Sequence, residues 1–63
     1  MTDTTEENKL YCESYKELIY FDMKRAMRYV RRGDFENARF FVSLAQGSIE
    51  SMLVLLEMAG KEK

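Results

Sequence analysis

The dipeptide Gly33-Asp34 lies at the midpoint of a 63-residue chain whose other residues favour helix, and this position strongly constrains the fold. Glycine adopts the left-handed conformation that ends a helix at no steric cost, and aspartate is a preferred N-cap of a following helix. Proline is absent, and the other glycines are Gly47 and Gly60. The sequence therefore predicts an all-α fold of two helices joined by one tight turn.

The ends of both helices have recognisable signals. Thr4 and Glu7 have the Thr-x-x-Glu spacing of a capping box, so the first helix is predicted over about residues 5–32. The second is predicted over about residues 35–59, with Gly60 as its stop. Because so short a connection makes two helices of about 40 Å lie antiparallel, residues 1–63 are predicted to form a single helical-hairpin domain.

Apolar residues placed at 100° steps form a stripe on each helix. On the first helix the predicted inner stripe contains Cys12, Tyr15, Ile19, Met23, Ala26 and Val30. On the second helix it contains Phe35, Ala38, Phe41, Val42, Ala45, Ile49, Met52, Leu53 and Leu56. A further apolar strip lies beside it, so this helix is apolar over about twice the ~100° arc that one neighbouring helix covers.

This wide apolar arc predicts self-association. A domain of this size is marginally stable without a disulfide, a metal or a partner, and a lone Cys12 excludes an intrachain disulfide. Two hairpins packed as a homodimeric four-helix bundle would cover the extra strip, and a higher oligomer is left open. The predicted oligomer interface contains Phe40, Leu44, Gly47, Ser48, Ser51, Leu55 and Met58.

The sequence has no recognisable catalytic or metal-ligating pattern. Histidine is absent, so Cys12 and the serines lack an activating base, and neither Cys/His zinc spacings nor Glu-x-x-His metal motifs occur. Asp22 lies at the margin of the apolar arc, where we expect it to pair with an arginine or a tyrosine hydroxyl of the other helix; a metal or catalytic role is the alternative. We predict a protein without enzyme activity or cofactor.

Basic residues concentrate near the end of the first helix, close to an aromatic side chain that we expect to be exposed. Positive charge beside an accessible aromatic ring suits phosphate contact and base stacking, although cations at a helix C-terminus also follow from the helix dipole. The candidate nucleic-acid contacts are Phe21, Lys24, Arg25, Arg28, Arg31, Arg32 and Arg39. The leading interpretation is a homo-oligomeric scaffold or protein-interaction module, and the alternative is a small nucleic-acid-binding regulator.

The location of the protein is predicted from what the sequence lacks. The N-terminus has no secretory-signal pattern, and no apolar run approaches the ~20 residues of a membrane span. We therefore expect a cytoplasmic protein that binds another copy of itself, or another protein, and does not contact membrane.

Two resemblances involve the centre of the chain. The segment from Gly33 to Ala38, followed by Ala45, resembles the turn of a tetratricopeptide hairpin, although the second helix is longer than a repeat helix. Residues from about Tyr20 to Gly47 resemble short archaeal helical proteins of domain-of-unknown-function family 357, through Asp22, Lys24, Gly33, Asp34, Asn37, Ala38, Ala45 and Gly47. This resemblance implies a helical hairpin of archaeal or archaeal-virus origin with no established activity.

Overall fold

The structure is a computed structural model that describes residues 4–61, and the side chains of residues 6–60. It contains two helices, α1 (Thr4–Arg31) and α2 (Phe35–Lys61), packed antiparallel as a hairpin of 50 × 16 × 10 Å. The predicted all-α hairpin is confirmed. The Thr4 side chain of the predicted capping box lies outside the described side chains.

The turn between the helices is a Schellman motif. Gly33 has a φ of 77°, its N–H donates to the Val30 carbonyl over 3.0 Å, and the Asp34 N–H donates to the Tyr29 carbonyl over 2.9 Å. These two bonds satisfy carbonyls that the end of α1 would otherwise leave unpaired. Gly33 therefore ends α1 in the predicted way.

Asp34 also starts α2. Its Oδ1 accepts a hydrogen bond from the Asn37 backbone N–H over 3.3 Å, and its Oδ2 accepts one from the Asn37 side-chain amide over 2.6 Å. The predicted N-cap is confirmed. At the other end of α2 the predicted stop is wrong, because the helix continues through Gly60 to Lys61.

The residues that face the other helix follow alternating spacings of three and four. In α1 the buried and half-buried positions are Asn8, Cys12, Tyr15, Ile19, Asp22, Ala26 and Tyr29. In α2 the same series contains Ala38, Phe41, Ala45, Ser48, Met52, Leu55 and Ala59. This is the heptad spacing with which two helices pack along a common seam.

Several residues of the predicted inner stripes lie elsewhere. Asp22 and Tyr29 occupy inner positions of α1 where Met23 and Val30 were expected, and Ser48 and Leu55 occupy inner positions of α2. The predicted inward placement is wrong for seven apolar residues that the hairpin leaves exposed: Met23, Val30, Phe35, Val42, Ile49, Leu53 and Leu56.

The seam between the helices is made of small side chains near the turn. Among the described residues only Ala26, Ala38 and Ala45 are buried, at 1%, 5% and 1% exposure. Next to them the rings of Tyr29 and Phe41 stack across the seam, with centroids 5.6 Å apart and planes 9° apart. The hairpin therefore has close helix contact but no fully buried large side chain within its described part.

The length and composition of α2 correct one expectation. From Phe35 to Gly60 this helix is long and apolar enough to cross a membrane by those two criteria alone. The expectation that no segment reaches this length counted only uninterrupted apolar residues, and in α2 polar residues such as Gln46 and Glu50 interrupt the apolar ones. A hydrophobic helix covered by partner helices has the same composition.

Candidate interaction surface

One side of the hairpin carries a continuous apolar face. We define the apolar face as Met23, Val30, Phe35, Val42, Ile49, Leu53 and Leu56, whose side chains are between 37% and 67% exposed. Four of them repeat every seven residues along α2, at positions 35, 42, 49 and 56. A heptad strip of large apolar side chains beside an already packed seam is typical of a helix with a second helical neighbour.

The geometry of an antiparallel pair brings the α1 and α2 members of this face together. In both helices, the residue immediately after an inner position lies on the same side of the hairpin. This follows because the two helices run in opposite directions. Met23 follows Asp22, and Ile49 follows Ser48. At the open end, Lys9 and Leu56, which hold the equivalent position, line one hollow of about 300 Å³.

The opposite flank is less continuous. It exposes Tyr11, Leu18, Phe40, Leu44, Val54 and Met58, but Arg25, Gly47 and Ser51 interrupt it. This flank contains most of the predicted oligomer interface, of which Phe40, Leu44, Gly47 and Met58 are exposed. Ser48 and Leu55 belong instead to the half-buried series of α2 that faces α1, and Ser51 is half-buried at the edge of this flank.

The predicted basic cluster is exposed and divides over two sides of the hairpin. Lys24, Arg28 and Arg31 line a shallow hollow of about 300 Å³ together with Tyr20, Met23 and Met27. The Lys24 ammonium lies 5.3 Å from the centroid of the Tyr20 ring. This hollow adjoins the apolar face through Met23, which belongs to both.

Two other basic residues lie over aromatic rings beside the opposite flank. The Arg25 guanidinium is 5.8 Å from the centroid of the Phe41 ring, and that of Arg32 is 5.7 Å from the Tyr29 ring. Each cation therefore lies over one ring of the Tyr29–Phe41 stack, an arrangement that the spacing of charges along the sequence did not reveal.

The remaining predicted nucleic-acid contacts lie apart from the hollow of Lys24. Phe21 is exposed and borders a separate hollow with Lys16, Glu17 and Tyr20, and its ring meets that of Tyr20 edge-on at 6.3 Å. Arg39 is exposed on α2 just beyond the turn. The seven residues thus share one end of the hairpin without forming one pocket.

Charge is distributed unevenly along the hairpin. We call residues 18–47 the turn half and residues 4–17 with 48–61 the open half. The turn half has six basic and three acidic residues and a formal charge of +3, whereas the open half has six acidic and three basic residues and a charge of −3. The hairpin is therefore a long electric dipole with its positive end at the turn.

Two exposed ion pairs lie on α1 in the open half. Lys16 Nζ is 2.8 Å from Glu13 Oε1, and Lys9 Nζ is 3.5 Å from Glu6 Oε1. The hydrogen bond to Glu13 and its negative charge raise the pKa of Lys16 above its ordinary value. Exposed pairs at this spacing contribute little to stability.

Asp22 is half-buried on the inner side of α1. Within residues 6–60, no ion pair or side-chain hydrogen bond joins Asp22 to an arginine or a tyrosine, so the expected partner is not seen. The same part of the chain contains no group of three side chains suited to hold a metal ion.

The surface features available for function are thus the apolar face, the basic hollow beside it and the separation of charge between the two halves. The resemblance to the archaeal helical family stays a prediction, as does the archaeal origin. No protein-family model, no curated protein and no solved structure matches this chain.

Proposed function

We propose that this chain is a homo-oligomeric helical scaffold or interaction module without catalytic activity. The observation that carries the proposal is the contrast between three small buried side chains and an exposed face of seven large apolar ones. Burial of apolar surface is the main force in association of this kind, and a monomer rarely exposes so long an apolar strip.

The area of the chain supports a partner of matching size. A folded monomer of 7.5 kDa is expected to expose about 4,200 Å², whereas this chain exposes 5336 Å². The difference is about 1,100 Å² per chain, so two copies would together bury about 2,200 Å². Obligate homodimers bury about 2,000 Å² or more. The surface that two copies expose in excess is therefore large enough to form such an interface.

The first test is the mass of the protein in solution. Sedimentation equilibrium at micromolar concentration, without detergent or lipid, is expected to give a dimer or a higher oligomer. Ile49→Asp, on the apolar face, is expected to abolish association, because a carboxylate would have to be desolvated at the interface. Ser43→Asp, on the outer side of α2, is the matched control and keeps the assembly. A folded 7.5 kDa monomer at every concentration would refute the proposal.

Membrane insertion of α2 is the competing use of its apolar surface. Glu50 and Glu57 lie on its outer side, and each carboxylate placed near a bilayer centre costs about 2.5 to 3.5 kcal/mol. We therefore expect the protein to stay in the aqueous phase when it is floated with phospholipid vesicles. Recovery with the vesicles after a carbonate wash would contradict both the scaffold proposal and the predicted cytoplasmic location.

Nucleic-acid binding is a second candidate, favoured by the hollow that Lys24, Arg28 and Arg31 line with Tyr20. Cations around an exposed ring suit phosphate contact and stacking, and such binding weakens steeply with salt. Gel-shift titration of structured RNA and duplex DNA at two salt concentrations tests it. Binding is expected to be lost in the double variant Lys24→Glu, Arg28→Glu, both of which line the hollow, while circular dichroism shows that the helices remain. No binding by the natural protein at low salt would dispose of this candidate.

A further inference from the structure

We infer that a second copy of this chain covers the apolar face in a head-to-tail arrangement, with the turn of each hairpin beside the open end of its partner. This inference rests on the proposed function and adds the face, the occupant and the orientation. It differs from the interface expected from the sequence, which lies on the opposite flank.

The choice of face follows from continuity. The apolar face extends from Phe35 to Leu56, about 31 Å along α2, and Met23 and Val30 of α1 widen it. The opposite flank has Gly47 and Ser51 in place of large apolar side chains at the middle of α2, and Arg25 on α1. Along α2 the heptad positions of the apolar face are therefore all large and apolar, whereas the opposite flank has gaps at Gly47 and Ser51.

The occupant and its direction follow from charge. A copy placed head to tail brings its −3 open half over the +3 turn half, and the same match repeats at the other end by two-fold symmetry. A head-to-head copy would instead put two +3 halves against each other and two −3 halves against each other. Like charges juxtaposed across an interface disfavour that arrangement.

Halves of opposite charge would lie beside each other in this dimer. With Ile49 near the two-fold axis, α1 lies antiparallel to α1 of the partner, and α2 lies antiparallel to the partner's α2. The basic turn half of each copy, including Arg28, Arg31 and Arg39, then lies beside the acidic open half of the other copy. The basic hollow thus lies next to the carboxylate-rich end of the second copy.

Disulfide trapping tests the face and the direction together, in a Cys12→Ser background. Val42 and Leu56 each lie seven residues from Ile49 on the apolar face, and they are about 21 Å apart along α2. A disulfide needs Cα atoms within about 7 Å. In the head-to-tail dimer a Val42→Cys chain is therefore expected to cross-link with a Leu56→Cys chain and not with itself, while Ile49→Cys cross-links with itself.

The opposite flank provides matched controls with the same spacing. Leu44, Ser51 and Met58 also lie seven residues apart, so Ser51→Cys corresponds to Ile49→Cys, and a mixture of Leu44→Cys with Met58→Cys corresponds to the other pair. We expect no cross-link on this flank under mild oxidation, measured by non-reducing gels and mass spectrometry. Self-linking of Val42→Cys would show a head-to-head dimer, and trapping on the control flank would show the other face; either result overturns the inference.

A charge exchange provides an independent readout. Arg28→Glu with Arg31→Glu is expected to raise the dissociation constant of the dimer about tenfold or more, because the turn half then becomes negative and lies against the negative open half of the other copy. Adding Glu13→Lys and Glu17→Lys to the same chain is expected to restore the dimer. A dimer unaffected by the first pair of changes would refute the head-to-tail arrangement while leaving the proposed self-association intact. A monomeric natural protein would refute both.

Discussion

Gly33 and Gly47 have no heavy atom within 4 Å of the position that a Cβ would occupy, but they differ in backbone conformation. Gly33 has a φ of 77°, whereas Gly47 lies inside α2 with helical geometry. We expect Gly33→Ala to lower the free energy of unfolding by about 1 kcal/mol and Gly47→Ala to raise it by about 0.5 to 1 kcal/mol. Urea titrations at one protein concentration measure both.

The sign of the Gly47→Ala effect also tests the location of the interface. The sequence predicts Gly47 within the oligomer interface, where its small size would allow a close helix crossing. If a partner packs against this position, the added methyl group lowers stability. We expect a gain instead, because the proposed partner covers the other side of the hairpin.

Asp22 is expected to cost stability. It is a half-buried carboxylate on the inner side of α1, and within the described part of the chain it has no cation or hydrogen-bond partner. Replacing an uncompensated charge at such a position by an apolar side chain usually stabilises a protein. Asp22→Leu is expected to raise the free energy of unfolding by about 1 kcal/mol, measured by urea titration.

Glu50→Leu is the control for this change, because Glu50 is exposed on the outer side of α2. There the same substitution is expected to alter stability by less than about 0.5 kcal/mol. A loss of stability in Asp22→Leu would indicate that the carboxylate has a partner in the assembled protein.

The contact between α1 and α2 depends on small side chains. Ala26 and Ala45 are each 1% exposed, and a larger side chain at either position would push the helices apart. Ala45→Leu is therefore expected to lower the free energy of unfolding by about 1 to 3 kcal/mol in urea titrations. Ser43→Leu places the same side chain on the outer side of α2 and is expected to have little effect. Equal effects of the two changes would refute close packing at Ala45.

The two helices and their turn could be predicted from local signals. Gly33 and Asp34 act through their own backbone and side-chain chemistry, so their roles do not depend on distant parts of the chain. Gly60 is different, because a glycine can remain inside a helix when nothing favours an earlier end. Its predicted stop was wrong for that reason.

The inner faces of the helices could be predicted only in part. Ala38, Ala45 and Met52 were predicted correctly, whereas Val42 and Ile49 were placed inside in error. The pattern of apolar residues along a helix shows which positions avoid water. It does not show whether the other helix of the hairpin or another molecule covers them. The hairpin seam contains small residues that allow close approach, whereas larger apolar side chains such as Val42 and Ile49 remain exposed outside it.

The sequence predicted that the basic cluster lies near the turn, but it did not predict that the cluster divides over two sides of the hairpin. Whether Arg25 covers Phe41 or joins the hollow of Lys24 depends on which aromatic ring lies across the seam. That depends on the register of two helices, which the sequence of one helix does not contain. The uneven charge of the two halves, by contrast, can be counted from the sequence once the turn is located.

At the scale of the whole molecule, stability should depend on protein concentration. Unfolding of a dimer yields two chains, so each tenfold increase in concentration favours the folded dimer by about 1.4 kcal/mol. The Tm from thermal circular dichroism is therefore expected to rise steadily as the protein concentration increases from about 1 to about 100 μM.

The Tm is also expected to depend on salt concentration. Screening shortens the range of attraction between opposite charges, so the Tm at low protein concentration is expected to fall as sodium chloride rises toward about 0.5 M. A Tm independent of protein concentration would contradict an assembly that unfolds and dissociates together. A Tm that rises steadily with salt would contradict the attraction between the two halves.

The stack of Tyr29 on Phe41 has a kinetic consequence. The two rings are close in sequence and join the helices just beyond the turn, so closing the loop between them costs little chain entropy. Each further pair along the seam extends a contact already made, and the hairpin can zip from the turn toward its open end. Low contact order of this kind is typical of folding in microseconds to milliseconds. The bimolecular encounter of two chains, rather than formation of the hairpin, would then be the slow step at low concentration.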